Sequence, residues 1–500
     1  MSNDIIYIIS MKQFYLILLF SISFATIITV DDNGPADYSI IQDAIDMSVD
    51  GDTVLVHRGF YQENLLIDKS ITLTSNAIYD NLSDLESWTE YDDQFLFEWQ
   101  VTNDNILETI IDGSTPTGNN GSCIIIYNED DCITPTVIGF TLQNGIGTEI
   151  TRNPGTDNSE DQVLGGGILI GMADPIINYN LIQGNGSAEV FSGGGAYMSS
   201  EPEDFGFDNR RLNRSRCDVQ EYDISNNFYK NNDAQYGNTF ANKYFEDSFD
   251  MSQSIFDVAN CQADEVSPVW VFVEPEASPD FEDSAADACA ITASDVYVDP
   301  NQAEECIDDG CGYENTPFKT MAFALQMIMP SEQNIVTLHL QDGLYSPSSS
   351  SEDFPIFLLQ NVNLQGDQEN LTILDGEQIY SVVEIAFDNN SLSNLSIVRS
   401  APQLDDYQGS GVLIHGNEII FNQVTFRDNT DSPFLILGDN IIFEDVTIQN
   451  NNASFCAGGI IYGSASFYNV IIENNNAEDD EGAGLCIDDG GNLDMYDSIV

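Results

Sequence analysis

Basic side chains are scarce in this chain of 500 residues, which holds 13 lysines and arginines against 83 aspartates and glutamates. The resulting formal net charge of -70 repels phosphate backbones and anionic lipid surfaces at long range. The composition therefore argues against nucleic acid as a partner. A surface of this kind suits a salt-rich medium, in which dissolved cations gather around the carboxylates.

Long apolar runs are also lacking, with one exception near the start of the chain. If translation begins at Met11, Lys12 supplies a positive charge, residues 14–24 an apolar stretch, and Ala25 a small residue at a cleavage site. The apolar stretch is too short to span a bilayer. We therefore predict a signal-peptide region over residues 1–26, a secreted or cell-surface protein, and no membrane span in the mature chain.

Histidine is rare, with 3 residues, and no CxxC pair occurs among the nine cysteines, so zinc is not indicated. In an exported chain, cysteines favour disulfides. The disulfide candidates are two close pairs in loop-like sequence, Cys123/Cys132 and Cys306/Cys311. Three cysteines of the central segment could pair there, two more lie beside glycine runs, and the odd count leaves one thiol over.

A repeat is present in the C-terminal part. Residues 419–426 recur 22 residues later and again 24 residues after that, each time as alternating apolar and polar residues followed by an asparagine-rich turn. No helical pattern intervenes. A fixed period in this range indicates stacked units that cannot bury their apolar faces alone. Short strands joined by tight turns predict a β-solenoid, in which each coil adds about 4.8 Å along the axis.

The repeat also predicts the register of the coils. Each valine lies two residues before the last apolar residue of its unit, hence on the same strand face, so Val424, Val446 and Val470 are predicted to form one core column. The asparagines of the turns are predicted to stack from coil to coil, as a ladder of Asn429, Asn451 and Asn475.

The chain is duplicated on a larger scale as well. Residues 53–61 resemble residues 335–345, including His57 and His339 at equivalent positions. A short amphipathic helix is predicted before each copy, over residues 40–48 and 320–329. Such helices would cap the open ends of two solenoids, where apolar core and strand edges would otherwise be exposed.

The domain plan follows from these repeats. We predict an all-β fold of two right-handed parallel β-helix solenoids in tandem with short helical N-terminal caps. The boundaries are residues 27–260 for the first β-helix with a degenerate insert, residues 261–293 for an acidic, proline-containing linker, and residues 294–500 for the second β-helix. The strand pattern stops abruptly at Val500, so we expect the natural chain to continue.

Two motifs carry a resemblance to known proteins. Residues 296–300 and 316–320 are similar to the opening of an uncharacterised capping domain found on many bacterial surface β-helices. The glycine runs and turns such as residues 426–429 resemble repeats of chlamydial polymorphic outer-membrane proteins. Over residues 27–200 and 294–500 the chain resembles the right-handed β-helices of the pectin-lyase-like superfamily. The resemblance implies a protein displayed at the cell surface.

Enzymes of that superfamily need residues that this chain does not place together. Pectate lyases use a calcium-binding aspartate cluster and a basic residue, whereas polygalacturonases use paired aspartates with a nearby histidine. No aspartate pair lies beside a histidine in the sequence, and the catalytic segments of pectinesterases are absent. Catalysis is therefore left open and is not favoured. The leading hypothesis is a non-catalytic protein for adhesion or glycan binding, with a polysaccharide lyase or hydrolase and a structural spacer as alternatives.

Aromatic residues in an apparent insertion give the candidate ligand-binding site. Trp88, Tyr91 and Trp99 lie close together in sequence, in a loop that interrupts the first solenoid. Exposed aromatic rings can stack on carbohydrate. We therefore predict contacts with surface glycans or other extracellular macromolecules there, while packing of these rings as a lid on the solenoid is the alternative.

Calcium is the small partner that the sequence suggests. Hard oxygen ligands are abundant in three acidic loops, and the candidate ligands are Asp308, Asp309, Asp479, Asp480, Asp488 and Asp489. No EF-hand spacing and no glycine-rich calcium repeat is present, which favours diffuse counter-ion binding. No cofactor is required by this interpretation.

Overall fold

Short strands, most of them paired in parallel, are the main secondary structure of the protein in a computed structural model. The described residues are 25–92, 98–116, 118–128, 131–152, 160–187, 190–199, 217, 221–243, 248–272, 278–307, 310–402, 409–454, 456–477, 483–487 and 490–500. The predicted signal region, apart from residues 25–26, lies outside them. Strands in the sheets of the coils pair in parallel, and two hairpins pair in antiparallel fashion.

Residues 27–289 form three sheets, because each complete coil contributes one strand to each sheet. Sheet A contains β1 (Ile27–Val30), β2 (Thr53–Val56), β5 (Thr72–Ser75), β10 (Thr136–Ile138), β15 (Ile176–Asn178), β18 (Glu221–Asp223), β21 (Ser248–Asp250) and β24 (Ser278–Asp280). Sheet B contains β3 (Gly59–Tyr61), β8 (Thr109–Asp112), β11 (Thr141–Gln143), β16 (Leu181–Gln183), β19 (Phe228–Lys230), β22 (Ile255–Ala259) and β25 (Ala285–Cys289). Sheet C contains β4 (Leu65–Ile67), β9 (Ile124–Tyr127), β14 (Ile168–Gly171), β17 (Ala196–Ser199), β20 (Phe240–Lys243) and β23 (Val271–Phe272). We call these sheets the N-terminal stack.

Residues 295–496 form two further large sheets, the C-terminal stack. Sheet D contains β26 (Asp295–Val298), β27 (Val336–Leu340), β28 (Gly343–Tyr345), β30 (Val362–Gly366), β31 (Thr372–Asp375), β33 (Ser391–Val398), β35 (Ile420–Arg427), β37 (Ile441–Glu444), β38 (Thr447–Gln449), β41 (Ser464–Tyr468), β42 (Ile471–Glu473) and β45 (Asn492–Tyr496). Sheet E contains β29 (Ile356–Phe357), β32 (Val383–Ile385), β34 (Val412–Ile414), β36 (Phe434–Ile436), β40 (Ile460–Ile461) and β44 (Cys486–Ile487).

The remaining elements are a short strand pair, two hairpins and a few helices. They are β39 (Asn452–Ala453) with β43 (Asn476–Ala477), β6 (Thr89–Asp92) with β7 (Glu98–Val101), β12 (Thr148–Arg152) with β13 (Glu160–Leu164), the helices α1 (Ile41–Met47), α2 (Asp104–Leu107) and α3 (Met321–Gln326), and 3₁₀ turns at Asn76–Tyr79 and Leu85–Ser87. The predicted all-β fold is confirmed.

Alternation along the strands gives each stack its own buried core. In the N-terminal stack, Ile126, Ile170 and Met198 are register partners on successive coils and are fully buried. In the C-terminal stack, the Phe443 ring lies 4.7 Å from those of both Phe421 and Phe467. The parallel register thus places like side chains over one another, and the apolar area removed from water stabilises both stacks.

The predicted register of the repeats is confirmed. Val424, Val446 and Val470 are all fully buried in the core of the C-terminal stack. Asn451 accepts hydrogen bonds at its side-chain oxygen from the backbone and side-chain nitrogens of Asn429, at 3.0 and 2.9 Å. It donates in turn to the side-chain oxygen of Asn475, at 3.0 Å.

Left-handed backbone in these turns falls one residue before each asparagine of the ladder. Asp428, Asn450 and Asn474 have φ values of 60, 56 and 59°. Aspartate and asparagine tolerate this conformation better than other residues with a β-carbon. The turns therefore use two neighbouring polar residues, one for the backbone bend and one for the ladder.

The two short helices lie at the predicted cap positions and are held in the same way. The first two backbone N–H groups of α1 donate to the Glu63 carboxylate at 2.9 and 3.0 Å, and those of α3 donate to the Glu352 carboxylate at 3.0 Å each. Burial raises the pKa of Glu352 to about 7 against the lowering effect of these bonds. The shared arrangement is consistent with the duplication of the sequence.

Residues 261–293 differ from the prediction of an extended linker. They include β23, β24 and β25, which add strands to sheets C, A and B, and a disulfide joins Cys261 to Cys289. One of the prolines that suggested an irregular segment, Pro279, lies in the edge strand β24, where a missing N–H group breaks no ladder. The N-terminal stack therefore extends to residue 289.

The disulfide prediction requires one correction. Cys306 is bonded to Cys311, but Cys132 is bonded to Cys217 and not to Cys123. Cys123 is a buried free thiol whose Sγ lies 3.2 Å from the backbone oxygen of Gln143. Its side chain faces the interior of the coil, which sequence spacing does not reveal.

Candidate functional site

The outer face of sheet B carries a continuous line of polar side chains. The inward residues of its strands, such as Ile182, Tyr229 and Phe256, belong to the main core, so the residues following them point outward. These outward residues, which we call the polar column, are Asp112, Gln143, Gln183, Lys230, Asp257 and Asp287. Six coils separated by about 4.8 Å give the column a length of about 24 Å.

Register and hydrogen bonds join the three residues at the N-terminal end of the polar column, which we call its lower half. Gln143 is the register partner of both Asp112 and Gln183. Its amide nitrogen donates to Asp112 at 3.2 Å, and the Gln183 amide nitrogen donates to the Gln143 oxygen at 3.4 Å. Burial acts to raise the pKa of Asp112, but hydrogen bonds, the strongest from Ser114, outweigh it and lower the pKa. Asp112 is therefore an ionised anchor of the column.

Charged groups lie close together at the C-terminal end of the polar column, which we call its upper end. Lys230 Nζ lies 2.8 Å from a carboxylate oxygen of Glu98 on the hairpin strand β7. Asp257 accepts a hydrogen bond from the backbone N–H of Asn231 at 2.9 Å, and Asp287 accepts one from the backbone N–H of Trp99 at 2.7 Å. The hairpin β6–β7 is thus fixed to the column by charge and by hydrogen bonds.

The aspartates at this end hold protons unusually well. Burial raises the pKa of Asp257 to about 7, and the charges of Asp287 and Glu98 raise it further, while Asn231 and Lys230 act to lower it. Burial also raises the pKa of Asp287. Near neutral pH the site therefore offers both carboxyl donors and carboxylate acceptors for hydrogen bonds.

An apolar column runs beside the polar one and explains the position of Trp88. Outward residues two positions earlier on the same strands, among them Leu181, Phe228 and Ile255, form a separate apolar cluster with Trp88. Trp88 is 0% exposed, and its ring meets that of Tyr179 edge to face at 5.9 Å. The predicted glycan contact at Trp88 is therefore wrong, because no face of the ring is available for stacking.

Tyr91 and Trp99 remain at the surface of the hairpin. They are register partners on β6 and β7, and their rings meet at 5.8 Å. Tyr91 is 44% exposed and Trp99 is half-buried against the apolar cluster. Two aromatic rings therefore flank the charged end of the polar column, an arrangement that suits carbohydrate, whose hydroxyl groups and apolar C–H faces need both kinds of partner.

Glu98, Lys230, Asp257 and Asp287 were not among the residues predicted from the sequence. A signal for part of the column was present, because Gln143, Gln183 and Lys230 each end a short apolar strand and precede an Asn–Gly, Gly–Asn or Asn–Asn turn. Alignment of the coils on these turns brings the three residues together. Nothing in the sequence places Glu98 beside Lys230, from which it is separated by several coils.

The calcium prediction falls on residues whose structure is not described, namely Asp308, Asp309, Asp479, Asp480, Asp488 and Asp489. Within the described ranges, no group of three or more His, Cys, Asp or Glu side chains is arranged to hold a metal ion. The same ranges contain no helix that is long and apolar enough to cross a membrane. The four disulfides are typical of proteins that fold in an oxidising compartment.

Comparison with known proteins identifies the fold class. Residues 347–500 match the family profile of the right handed beta helix region. Together with the parallel strand pairing of both stacks, this match identifies a right-handed parallel β-helix. No curated protein matches the chain.

Two solved structures are similar to parts of the chain at low identity. A pectin methylesterase mutant in complex with hexasaccharide IV is 16% identical with a TM-score of 0.26, over 42% of this chain and 61% of the esterase. A GH136 lacto-N-biosidase from Eubacterium ramulus is 8% identical with a TM-score of 0.19, over 95% of this chain and 67% of the enzyme. The chain thus spans about three fifths of the esterase's length. At these TM-scores neither likeness bears on function.

Proposed function

We propose that this protein is an exported β-helix protein that binds neutral glycans on the outer face of sheet B. The observation that carries the proposal is the polar column beside Tyr91 and Trp99. Gln143 and Gln183 present amide groups at the spacing of the coils, as a chain of sugar rings would require, and the buried Asp112 accepts a hydrogen bond that orients Gln143. The proposal includes secretion or surface display, for which the disulfides and the predicted signal region are the support.

The charge of the site favours neutral glycans over polyuronates. At its upper end one cation, Lys230, is already paired with Glu98, and Asp257 and Asp287 lie beside them. The net charge of the whole chain is -70. A carboxylated sugar would be repelled both by the carboxylates of the site and by the net charge of the whole chain. Neutral sugars can accept hydrogen bonds from protonated Asp257 and donate them to the ionised groups.

Retention of the purified protein in gels that contain neutral polysaccharides tests this proposal. Tyr91→Ala and Trp99→Ala are expected to weaken binding to the polysaccharide that retains the unmodified protein about tenfold, because each removes a ring beside the column. Tyr313→Ala is the matched control, since Tyr313 is also exposed, at 52%, but lies between β26 and α3 in the C-terminal stack. Retention by no neutral polysaccharide, or equal loss in the control, would refute the proposal.

A carbohydrate hydrolase is the second candidate function. The observation in its favour is Asp257, whose pKa of about 7 beside other carboxyl groups suits a general acid. Release of reducing sugar from neutral polysaccharides, abolished by Asp257→Asn with binding retained, would support hydrolysis. Binding without release in the unmodified protein would leave the non-catalytic role.

A further inference from the structure

The outer faces of sheets C and E meet across a cavity of about 320 Å³, whereas the polar column lies on sheet B. Aromatic and polar side chains from both stacks line it. The lining includes Phe191, Tyr236 and Phe272 from the N-terminal stack, and Glu384, Phe387 and His415 from the C-terminal stack. Its volume lies at the lower end of the range for small-molecule sites.

Tyr236 is at the centre of the aromatic lining. Its ring centroid lies 5.2 Å from that of Phe191 and 5.4 Å from that of Phe272. The Phe272 ring in turn lies 5.7 Å from that of Phe387, across the boundary between the stacks. Rings from three coils of the N-terminal stack and one from the C-terminal stack therefore line the cavity.

Glu384 supplies the charge of the cavity. The Tyr236 hydroxyl donates a hydrogen bond to Glu384 Oε1 at 3.0 Å, and His415 Nε2 lies 3.9 Å from the same oxygen. Burial raises the pKa of Tyr236 well above its ordinary value, and the charge of Glu384 raises it further, so the phenol keeps its proton. The described lining includes no lysine or arginine, and only 18% of the Glu384 side chain is exposed.

We propose that this cavity binds an organic cation with a quaternary or methylated ammonium group, held by the aromatic rings and by Glu384. The negative faces of aromatic rings attract such cations, and rings arranged around a cavity are a recurrent means of binding them. A partly buried carboxylate strengthens the attraction because the local dielectric constant is low. The charge of the whole protein raises the local concentration of cations.

The composition of the cavity disfavours other classes of small ligand. An anion would be repelled by Glu384, and the phenol that could donate to it is already bonded to that carboxylate. A divalent metal ion needs several oxygen ligands, whereas Glu384 is the one carboxylate in the described lining. An ammonium group whose charge is spread over methyl groups matches both the rings and the single negative charge.

Calorimetric titration with two probes of the same shape tests this proposal on the full chain. Choline carries the positive charge, and 3,3-dimethylbutan-1-ol is its neutral carbon analogue. In about 0.15 M NaCl, where the Debye length is about 8 Å, choline is expected to bind at least about tenfold more tightly, because charge contributes to its attraction to rings and to carboxylate.

Variants of the cavity separate specific binding from general attraction of cations. Glu384→Gln keeps an acceptor for Tyr236 and changes a net charge of -70 by one unit, so only a local effect can lower affinity. We expect a loss of about tenfold in this variant and of about threefold in Phe272→Leu, which keeps an apolar side chain but removes a ring. Tyr91→Ala, in the proposed glycan site, is expected to bind choline as the unmodified protein does.

Equal affinity for both probes, no binding of choline at millimolar concentration, or unchanged affinity in Glu384→Gln would overturn the proposal. If Phe272→Leu melts at a lower temperature than the unmodified protein, Glu384→Gln alone decides the result. Loss of choline binding in Tyr91→Ala would also contradict a separate site.

Discussion

The N-terminal and C-terminal stacks differ in how regularly their coils repeat. In the C-terminal stack, successive units of 22 and 24 residues superimpose valines, phenylalanines and asparagines on their own kind. In the N-terminal stack, the coils are interrupted by the hairpins β6–β7 and β12–β13, and the outward positions of sheet B change from coil to coil. Identical stacking favours stability, whereas variable outward residues provide chemistry, so we place the glycan site on the irregular stack.

The largest effect is expected from a charge in the regular core. Val446→Asp buries an unpaired carboxylate among Val424 and Val470, which costs about 4 kcal/mol or more, and should abolish folding of the C-terminal stack. Thr447→Asp on the opposite strand face is the matched control and should change stability little. Differential scanning calorimetry measures both, and equal melting profiles for the two variants would contradict the register.

A smaller effect is expected from the asparagine ladders, and it compares the stacks directly. Asn451→Ala removes the acceptor of two bonds from Asn429, and Asn232→Ala removes the acceptor of two bonds from Asn185 in the N-terminal stack, at 3.1 Å each. Each variant leaves buried donors unpaired and should lose about 2 kcal/mol. Urea denaturation followed by circular dichroism measures the loss. A much smaller loss for Asn232→Ala would show that ladders matter only where the coils are regular.

The smallest effect is expected at the irregular face and depends on pH. The pKa of Asp257 is about 7 in the folded protein and near 3.8 when unfolded, so the folded state binds more protons between these values and stability falls as pH rises through them. These values imply a gain of about 4 kcal/mol for Asp257→Asn at pH 8. Because the side chain is partly exposed and solvent screens its charge, we expect a gain of about 1 kcal/mol, which shrinks towards pH 5. Thermal melts across this range measure it.

Asp283→Asn provides the control for that experiment, because it removes the same charge from an exposed position in the next coil. Its stability relative to the unmodified protein should not follow the same pH course. A pH-independent difference for Asp257→Asn would instead mean that burial does not hold a proton on Asp257.

The predictable part of the fold depended on local patterns. Alternation over a few residues gave the strands, and the short period gave the contacts of Val446 and Asn451, because parallel coils superimpose residues one period apart. The segment 261–293 was mispredicted since its proline and acidic residues suggested an irregular chain, whereas its strands complete the last coil. The composition of this segment indicated a polar surface, but it did not indicate that the segment's strands pair with those of the preceding coil.

The candidate site was predictable only in part, because its residues come from distant coils. Tyr91 and Trp99 were named from their clustering, but the burial of Trp88 depends on an apolar column that the sequence does not mark. The partnership of Glu98 with Lys230 spans 132 positions. Such contacts are fixed by where an insertion folds back and not by any period.

The sequence by itself determined the acidic charge, the parallel β-helix and the vertical neighbours within the repeat, since these follow from composition and from a period that each coil obeys. The tertiary structure alone decided which cysteine stays free, which aromatic ring is buried and how the two stacks enclose Glu384. Those features arise from lateral packing between insertions, sheets and stacks, where side chains meet without any fixed separation along the chain, so local alternation carries no information about them.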